Sequence, residues 1–238
     1  MRQKVAGLLC KISSVVLIIC LLFTCIEFKV FDLDFFQTEY IKSDTARNIG
    51  MNNTDLMSVT KYLLEYIKGK KDNLRIKSTI QEQERDVFNK KEREHMVDVQ
   101  NLYINGRTLR NIAVLGSIVL ILLAVILARR KFPVIMAKSY IAAQIFCAVI
   151  LLALGAWILF DFDSFWTSFH MLFFTNDLWL LNPATDIMIN MFSSVFFYDL
   201  CISVVVLFAS ICVALMVICK IYLKFDDKRR NQPMKRVK

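Results

Sequence analysis

Four stretches of the chain are nearly unbroken runs of apolar side chains: Val5–Ile26, Ile112–Ala128, Ile141–Phe160 and Ile202–Ile221. Each holds about 17–22 residues, enough for a helix to cross a hydrocarbon layer. In lipid only a helix or a closed barrel satisfies its own backbone hydrogen bonds, so each run predicts a transmembrane helix. Between the first two runs the pattern changes. Leu56, Val59, Leu63, Tyr66 and Ile67 recur at helical spacing and predict an amphipathic helix over Asp55–Lys68, with Asn53, Thr54 or Asp55 as its cap. Residues 69–73 read as a turn. Leu74–Ser78 alternates like a strand, and Arg85–Asn89 is its expected partner. From Lys90 to Tyr103 the spacing is helical again, with His95, Val99, Leu102 and Tyr103 near one face and Asp98 one turn from His95. Asn105-Gly106 predicts a break before the second span.

The expected fold class is therefore an all-α polytopic membrane protein. It has four transmembrane helices and a small, mostly helical extracytoplasmic domain with a short hairpin. The predicted order is a cytoplasmic start and first span (1–26), the outer domain (27–110), the second span (111–128), a loop (129–138), the third span (139–160), an aromatic outer segment (161–199), the fourth span (200–222) and a tail (223–238).

Charge sets the orientation, because loops rich in Lys and Arg stay in the cytoplasm. Arg2, Lys4 and Lys11 begin the chain. Arg129, Arg130, Lys131 and Lys138 lie between the second and third runs, and Lys220, Lys224, Lys228, Arg229, Arg230, Lys235, Arg236 and Lys238 end it. The segment 161–199 has five aspartates and no Lys or Arg, which puts it outside. Both termini are thus expected in the cytoplasm. The net charge of +9 is expected to face anionic inner-leaflet lipid, not nucleic acid. The basic start and first apolar run also suit a signal peptide. Leu22-Phe23-Thr24-Cys25 is a poor cleavage site, however, with Phe and Thr where small residues are needed, so the first helix is expected to be retained. All seven cysteines fall in or beside the runs, which leaves no disulfide framework outside.

The segment from Phe160 to Asp199 is unusual. It holds nine of the nineteen Phe and two of the three Trp, which is too apolar for a free loop. It is expected to lie in the membrane interface or to dip in as a re-entrant element. An aromatic belt alone explains the tryptophans but not the polar group among them: Ser168, His170, Thr175, Asn176, Asp177, Asn182, Thr185, Asp186 and Asn190. Polar groups at membrane depth mark a candidate functional site. The chain has only two histidines, His95 and His170, and both fall outside the runs. Two distant histidines without outer cysteines leave too few ligands for zinc. Ser168 has no Gly-x-Ser-x-Gly elbow, six glycines give no phosphate-cradling loop, and no span has the central charge or Gly/Pro break of a transporter.

Phe169-His170-Met171-Leu172-Phe173-Phe174, then Asn176-Asp177-Leu178-Trp179-Leu180-Leu181-Asn182-Pro183, then Thr185-Asp186 resembles the second outer segment of the bacterial lipoprotein intramolecular transacylase (Lit) family. His95-Met96-Val97-Asp98-Val99 resembles that family's other histidine motif. The four-span layout agrees. One departure is Ser193-Ser194 ahead of Val195-Phe196-Phe197, where the family pattern has Pro-Glu.

The resemblance implies an acyltransferase. It moves the sn-2 acyl chain of a diacylglyceryl-cysteine lipoprotein to the cysteine α-amine and leaves the lyso form. Donor and acceptor belong to one molecule, so no cofactor and no metal are expected; the partners are diacylglyceryl lipoproteins and membrane lipid. His170, His95 and Asp98 are the expected catalytic residues. His170 acts as base, and His95, oriented by Asp98, supports a relay or the charged intermediate. A transient acyl-histidine is the competing role. Phe169, Phe173, Asn176, Asp177, Trp179, Asn182 and Asp186 are expected to shape the substrate site, although Asn182 and Asp186 also suit a helix cap after Pro183. The rival reading is a non-enzymatic assembly factor or sensor that binds a partner through its aromatic segment.

Overall fold

In a computed structural model of the chain, residues 1–230 are described; 231–238, with Lys235, Arg236 and Lys238 of the basic tail, lie outside the described residues. In chain order the helices are α1 (Arg2–Val30), α2 (Leu33–Lys42), α3 (Thr45–Ile49), α4 (Asn53–Ile67), α5 (Lys90–Ala128), α6 (Phe132–Phe160), α7 (Phe162–Phe173), α8 (Ile187–Met191) and α9 (Ser194–Arg230). A hairpin of β1 (Lys77–Ile80) and β2 (Gln83–Asp86) precedes α5, and a 3₁₀ turn, Arg129–Lys131, joins α5 to α6. Three stretches are long and apolar enough to cross a membrane: Arg2–Val30, Lys90–Phe160 and Ser194–Arg230. The middle stretch is two helices, interrupted where Arg129 takes a left-handed φ of 50°.

The chain divides into two compact units. One contains residues 1–25, 110–156 and 204 onward. Small side chains let its backbones approach: Ala6 and Cys10 of α1 pack with Ala124 and Ala128 of α5, against Phe132 and Ile135 of α6. At the other end of the same pair, the Cys20 thiol lies 3.8 Å from the Arg110 carbonyl, so α1 and α5 run antiparallel. Ser139 donates to the Gly7 carbonyl at 3.4 Å, and farther along Ile18 and Cys25 meet Ala143 and Cys147. Helix α6 therefore turns back to run alongside α1. Large apolar side chains cover the outside of this unit, among them Leu115, Ile126, Val149, Leu152 and Val213, each more than half exposed. A bundle that exposes such side chains is built for lipid.

The second unit contains residues 26–109 and 157–203. Its core gathers Phe36 and Tyr40 of α2, Leu56, Val59 and Leu63 of α4, Ile80 and Phe88 of the hairpin region, Met188 and Met191 of α8, and Phe196 of α9. The amphipathic stripe predicted before Lys68 is the buried face of α4. Its cap is Asn52, one residue earlier than expected, accepting from Asp55 N–H at 2.7 Å. Thr60 donates to the Leu56 carbonyl, so the Tyr40 hydroxyl, 2.9 Å from Thr60 Oγ1, is the donor in that buried pair.

Two local expectations are corrected. The hairpin exists in the expected register, with Lys77 opposite Asp86 and Ser78 opposite Arg85, but its strands, Lys77–Ile80 and Gln83–Asp86, lie nearer the turn than Leu74–Ser78 and Arg85–Asn89. The turn decides this: Gln81 and Glu82 both take positive φ, 52° and 65°, and a two-residue loop of that kind lets pairing run up to it. No break occurs at Asn105-Gly106; α5 runs through both residues. The propensity penalty of such a pair is about 1 kcal/mol or slightly more. Anchors to either side outweigh it: Gln100 on the Tyr66 carbonyl, Tyr103 on Glu27 at 2.6 Å, and Ala124 in the bundle.

Candidate functional site

Both histidines lie in the second unit, one turn or more inside helices that the sequence starts cleanly. Helix α5 opens with a reciprocal cap. Asn89 Oδ1 accepts from Glu92 N–H at 3.1 Å, and Glu92 Oε2 accepts from Asn89 N–H at 2.7 Å, the arrangement of a capping box. The other Glu92 oxygen accepts from Met188 N–H of α8 at 2.7 Å. Glu92 is fully buried, and burial raises its carboxyl above the ordinary value despite these hydrogen bonds. His95 follows one turn later. Helix α7 opens with Asp161, which accepts from Ser164 N–H at 3.1 Å, and its single fully packed residue is His170.

The two imidazoles lie close together, with centroids 6.2 Å apart and planes tilted 32°. Phe174 touches both rings, at 5.2 Å from His95 and 5.6 Å from His170. Trp166 meets His170 edge-on at 4.8 Å, and Trp179 stacks on it at 4.8 Å with a 28° tilt. Phe169 completes the wall at 5.5 Å. Phe197, the second residue of the aromatic doublet, stacks under Trp166 at 4.2 Å. Ser193, at the departure from the family pattern, accepts from Phe196 N–H at 3.4 Å. A serine hydroxyl thus caps α9 in the place where a Pro-Glu pair was expected.

The histidines differ in their polar contacts. His170 Nδ1 is 2.8 Å from the Trp166 carbonyl. A carbonyl only accepts, so Nδ1 carries the proton and Nε2 of the neutral ring keeps its lone pair. Burial lowers the His170 pKa, and the carbonyl bond opposes this in part. His95 Nδ1 is buried without a hydrogen-bond partner among the described residues. Burial lowers the His95 pKa to about 4; His170 and Lys91 add to the shift and Asp98 opposes it. At neutral pH both rings are uncharged.

Asp98, expected to orient His95, makes no hydrogen bond to its ring. Asp98 Oδ2 accepts instead from the Asn176 amide at 2.9 Å, and its effect on His95 is electrostatic. Asn176 Oδ1 accepts from Leu178 N–H at 3.0 Å and shapes the loop. Asp177 is exposed, with its carbonyl 3.2 Å from Leu180 N–H. Phe173 is 47% exposed and packs at a tilt against Phe169, at 4.9 Å. Asn182 and Asp186 stand away from the rings. Asp186 is buried and occupies the residue before α8 without capping it through its side chain. Its carboxylate receives Asn182 N–H at 2.7 Å, the Thr185 hydroxyl at 2.8 Å and the Asn89 amide at 2.7 Å. Burial raises its pKa, but these donors and Lys91 outweigh it, and the carboxyl is held below the ordinary range. Asp186 holds the loop to Asn89 at the start of α5, and Asn182 folds the loop onto Asp186.

Sequence reasoning missed Glu92, Trp166 and Phe174 as site-forming residues. Glu92 carried a legible signal, since Asn89-x-x-Glu92 is a capping-box pattern, hidden by assigning Asn89 to a strand. Among the described residues no group of three or more His, Cys, Asp or Glu side chains is placed to hold a metal ion. A cleft between the end of α1, the start of α2 and Lys68 lies apart from the histidines.

The family model for lipoprotein intramolecular transacylase Lit matches residues 11–197. No curated protein matches the chain significantly. Among solved structures, Lit from Bacillus cereus aligns over 97% of this chain and 98% of its own, with a TM-score of 0.69 and 18% identity. Its histidine-to-alanine variant aligns over 95% and 96%, with a TM-score of 0.70 and 15% identity. The histidine-to-arginine variant gives 0.66 and 17%. At such identities these likenesses establish the fold.

Proposed function

The chain belongs to the lipoprotein intramolecular transacylase Lit family, whose activity is acyl transfer within a lipoprotein, and we propose that the group moved is the sn-2 chain and that His170 moves the protons. The protein is a membrane-integral acyltransferase, and the observation that carries the residue-level reading is the pair of neutral imidazoles enclosed by aromatic rings. The reaction joins the cysteine α-amine nitrogen to the sn-2 ester carbonyl carbon and breaks the bond from that carbon to the glycerol oxygen. One proton leaves the nitrogen and one reaches the oxygen. Ring closure passes through about eight atoms, so holding the head group folded supplies much of the rate.

His170 suits both proton steps. Its Nε2 lone pair accepts the amine proton as the carbon–nitrogen bond forms. Because its pKa is lowered, the resulting imidazolium is a stronger acid than an ordinary one and yields the proton readily to the departing oxygen. His95, whose Nδ1 has no partner, is in position to bind a polar atom of the intermediate. Phe169, Phe173 and Trp179 offer an apolar surface to the acyl chains. Asp98 and Asn176 shape the site's edge, with Asp177, Asn182 and Asp186 supporting the loop. Reading Lys90–Phe160 as two crossings gives four in all, with both termini and Arg129–Lys131 in the cytoplasm and the histidines at the outer face.

Mass spectrometry of the N-terminal lipopeptide of an abundant lipoprotein tests this reading in cells with the protein, without it, and with His170→Ala. The N-acyl lyso form is expected only with the intact protein, and the variant should lose about 10²–10⁴-fold in rate. Persistence of the diacylglyceryl form in all three, at normal protein levels, overturns it.

A further inference from the structure

On α5, Lys91, His95 and Asp98 are four and three residues apart and therefore share one stripe of the helix. The two charged members hold the same loop. The Lys91 ammonium donates to the Leu180 carbonyl, and Asp98 accepts from the Asn176 amide at 2.9 Å. Between these attachments sits Trp179, stacked on His170. The short run is stiffened from within, by Leu180 N–H on the Asp177 carbonyl at 3.2 Å and by Leu181 N–H on the Trp179 carbonyl at 2.9 Å. It is strung like a strap between two posts, with His95 between the posts.

The strap and its root are held differently. Asp186, at the root, is buried and takes three hydrogen bonds. The Lys91 and Asn176 contacts are exposed, and polar contacts open to water are weak. The Asn176–Leu180 run is thus the part of the loop that opens at least cost. With the strap in place, each imidazole is only 7% exposed.

Closure has a chemical consequence. An activated ester carbonyl has two available nucleophiles. The amine gives the amide and a glycerol hydroxyl. Water attacks the same carbon, the same carbon–oxygen bond breaks, a proton passes to the glycerol oxygen, and the products are a free fatty acid and a lipoprotein with a free amine and one remaining acyl chain. Intramolecular transfer requires water to be kept out.

We propose that Lys91 is a positioning residue for the reaction: with Asp98 it straps Asn176–Leu180 over the histidine pair, so that the Trp179 indole excludes water and the ester is aminolysed instead of hydrolysed. The inference rests on the acyl-transfer reading above. The partition between the two products isolates it from general structural damage, which lowers both.

The test uses the purified full-length protein and a synthetic diacylglyceryl-cysteine lipopeptide, with the N-acyl and free-amine products counted by mass spectrometry. Wild type gives the N-acyl product. Losing one solvent-exposed contact raises the open fraction about two- to fivefold, so Lys91→Ala should raise the share of free-amine product about two- to fivefold. Lys91→Arg, which keeps a cationic donor, should return it toward wild type. If Lys91→Ala fails to accumulate, Asn176→Ala cuts the other attachment and should shift the partition the same way. An unchanged partition in a folded Lys91→Ala or Asn176→Ala overturns the strap, whatever happens to total rate. A wild type that forms neither product overturns the acyl-transfer reading itself.

Discussion

His95 and His170 are the same residue in two different environments. His170 has its tautomer set by a main-chain carbonyl, and His95 has a buried nitrogen with no partner. This separates their pH behaviour. With the His170 pKa lowered by burial, the rate profile should show an enzyme ionisation below the ordinary histidine value of 6.5, beside that of the substrate amine at about 8; an enzyme ionisation above 6.5 that is lost in His170→Ala would contradict the role as base. His95 acts on stability. The unfolded chain takes up its proton near 6.5, the folded chain only near 4. Acidification from 6.5 toward 4 therefore favours the unfolded state, and stability should fall across that window. His95→Gln should flatten the fall, as read by thermal unfolding in detergent at stepped pH. Glu92 ties the start of α5, one turn before His95, to α8. Its carboxylate satisfies Asn89 N–H and Met188 N–H, and Glu92→Ala strands both, at about 1–3 kcal/mol for each donor left unpaired. A variant that melts within a degree of wild type would show that water replaces the carboxylate.

At the scale of elements, ends and turns proved harder to place than the elements themselves. The stripe of α4 and the four apolar runs were plain from spacing alone. The hairpin kept its expected register, but its strands sit two to three residues nearer the turn, because the left-handed backbone of Gln81 and Glu82 lets pairing run up to a two-residue loop. Gly50 fixes that turn from outside. Its carbonyl accepts from Gln81 N–H at 2.7 Å, its φ is +78°, and an added Cβ would stand 2.7 Å from Gln81 Cγ. Gly50→Ala should cost about 1–2 kcal/mol from the left-handed backbone alone, more with the contact. Equal melting temperatures would mean the turn rearranges freely. The Asn105-Gly106 pair shows the opposite failure, a local breaking signal overruled by contacts on either side.

For the whole molecule, membrane integration follows from composition and is matched by a bundle whose outer surface is apolar. The proposed sidedness has a direct check. In a variant lacking native cysteines, Arg130→Cys should resist an impermeant maleimide in intact cells, and Glu84→Cys in the exposed strand β2 should react. The reverse pattern would invert the topology.

The apolar runs, the basic clusters and the two histidine motifs were sufficient, read along the chain, to predict helices in lipid and to point to one family. These are properties of composition and short-range spacing, and the bilayer leaves a long apolar segment little choice of structure. The close approach of His95 and His170, the orphaned nitrogen of His95 and the diversion of Asp98 to Asn176 were decided only by the tertiary structure. Each depends on segments about 75 residues apart in the chain, brought together by a core of Phe, Met and Leu side chains whose pairing no local pattern encodes.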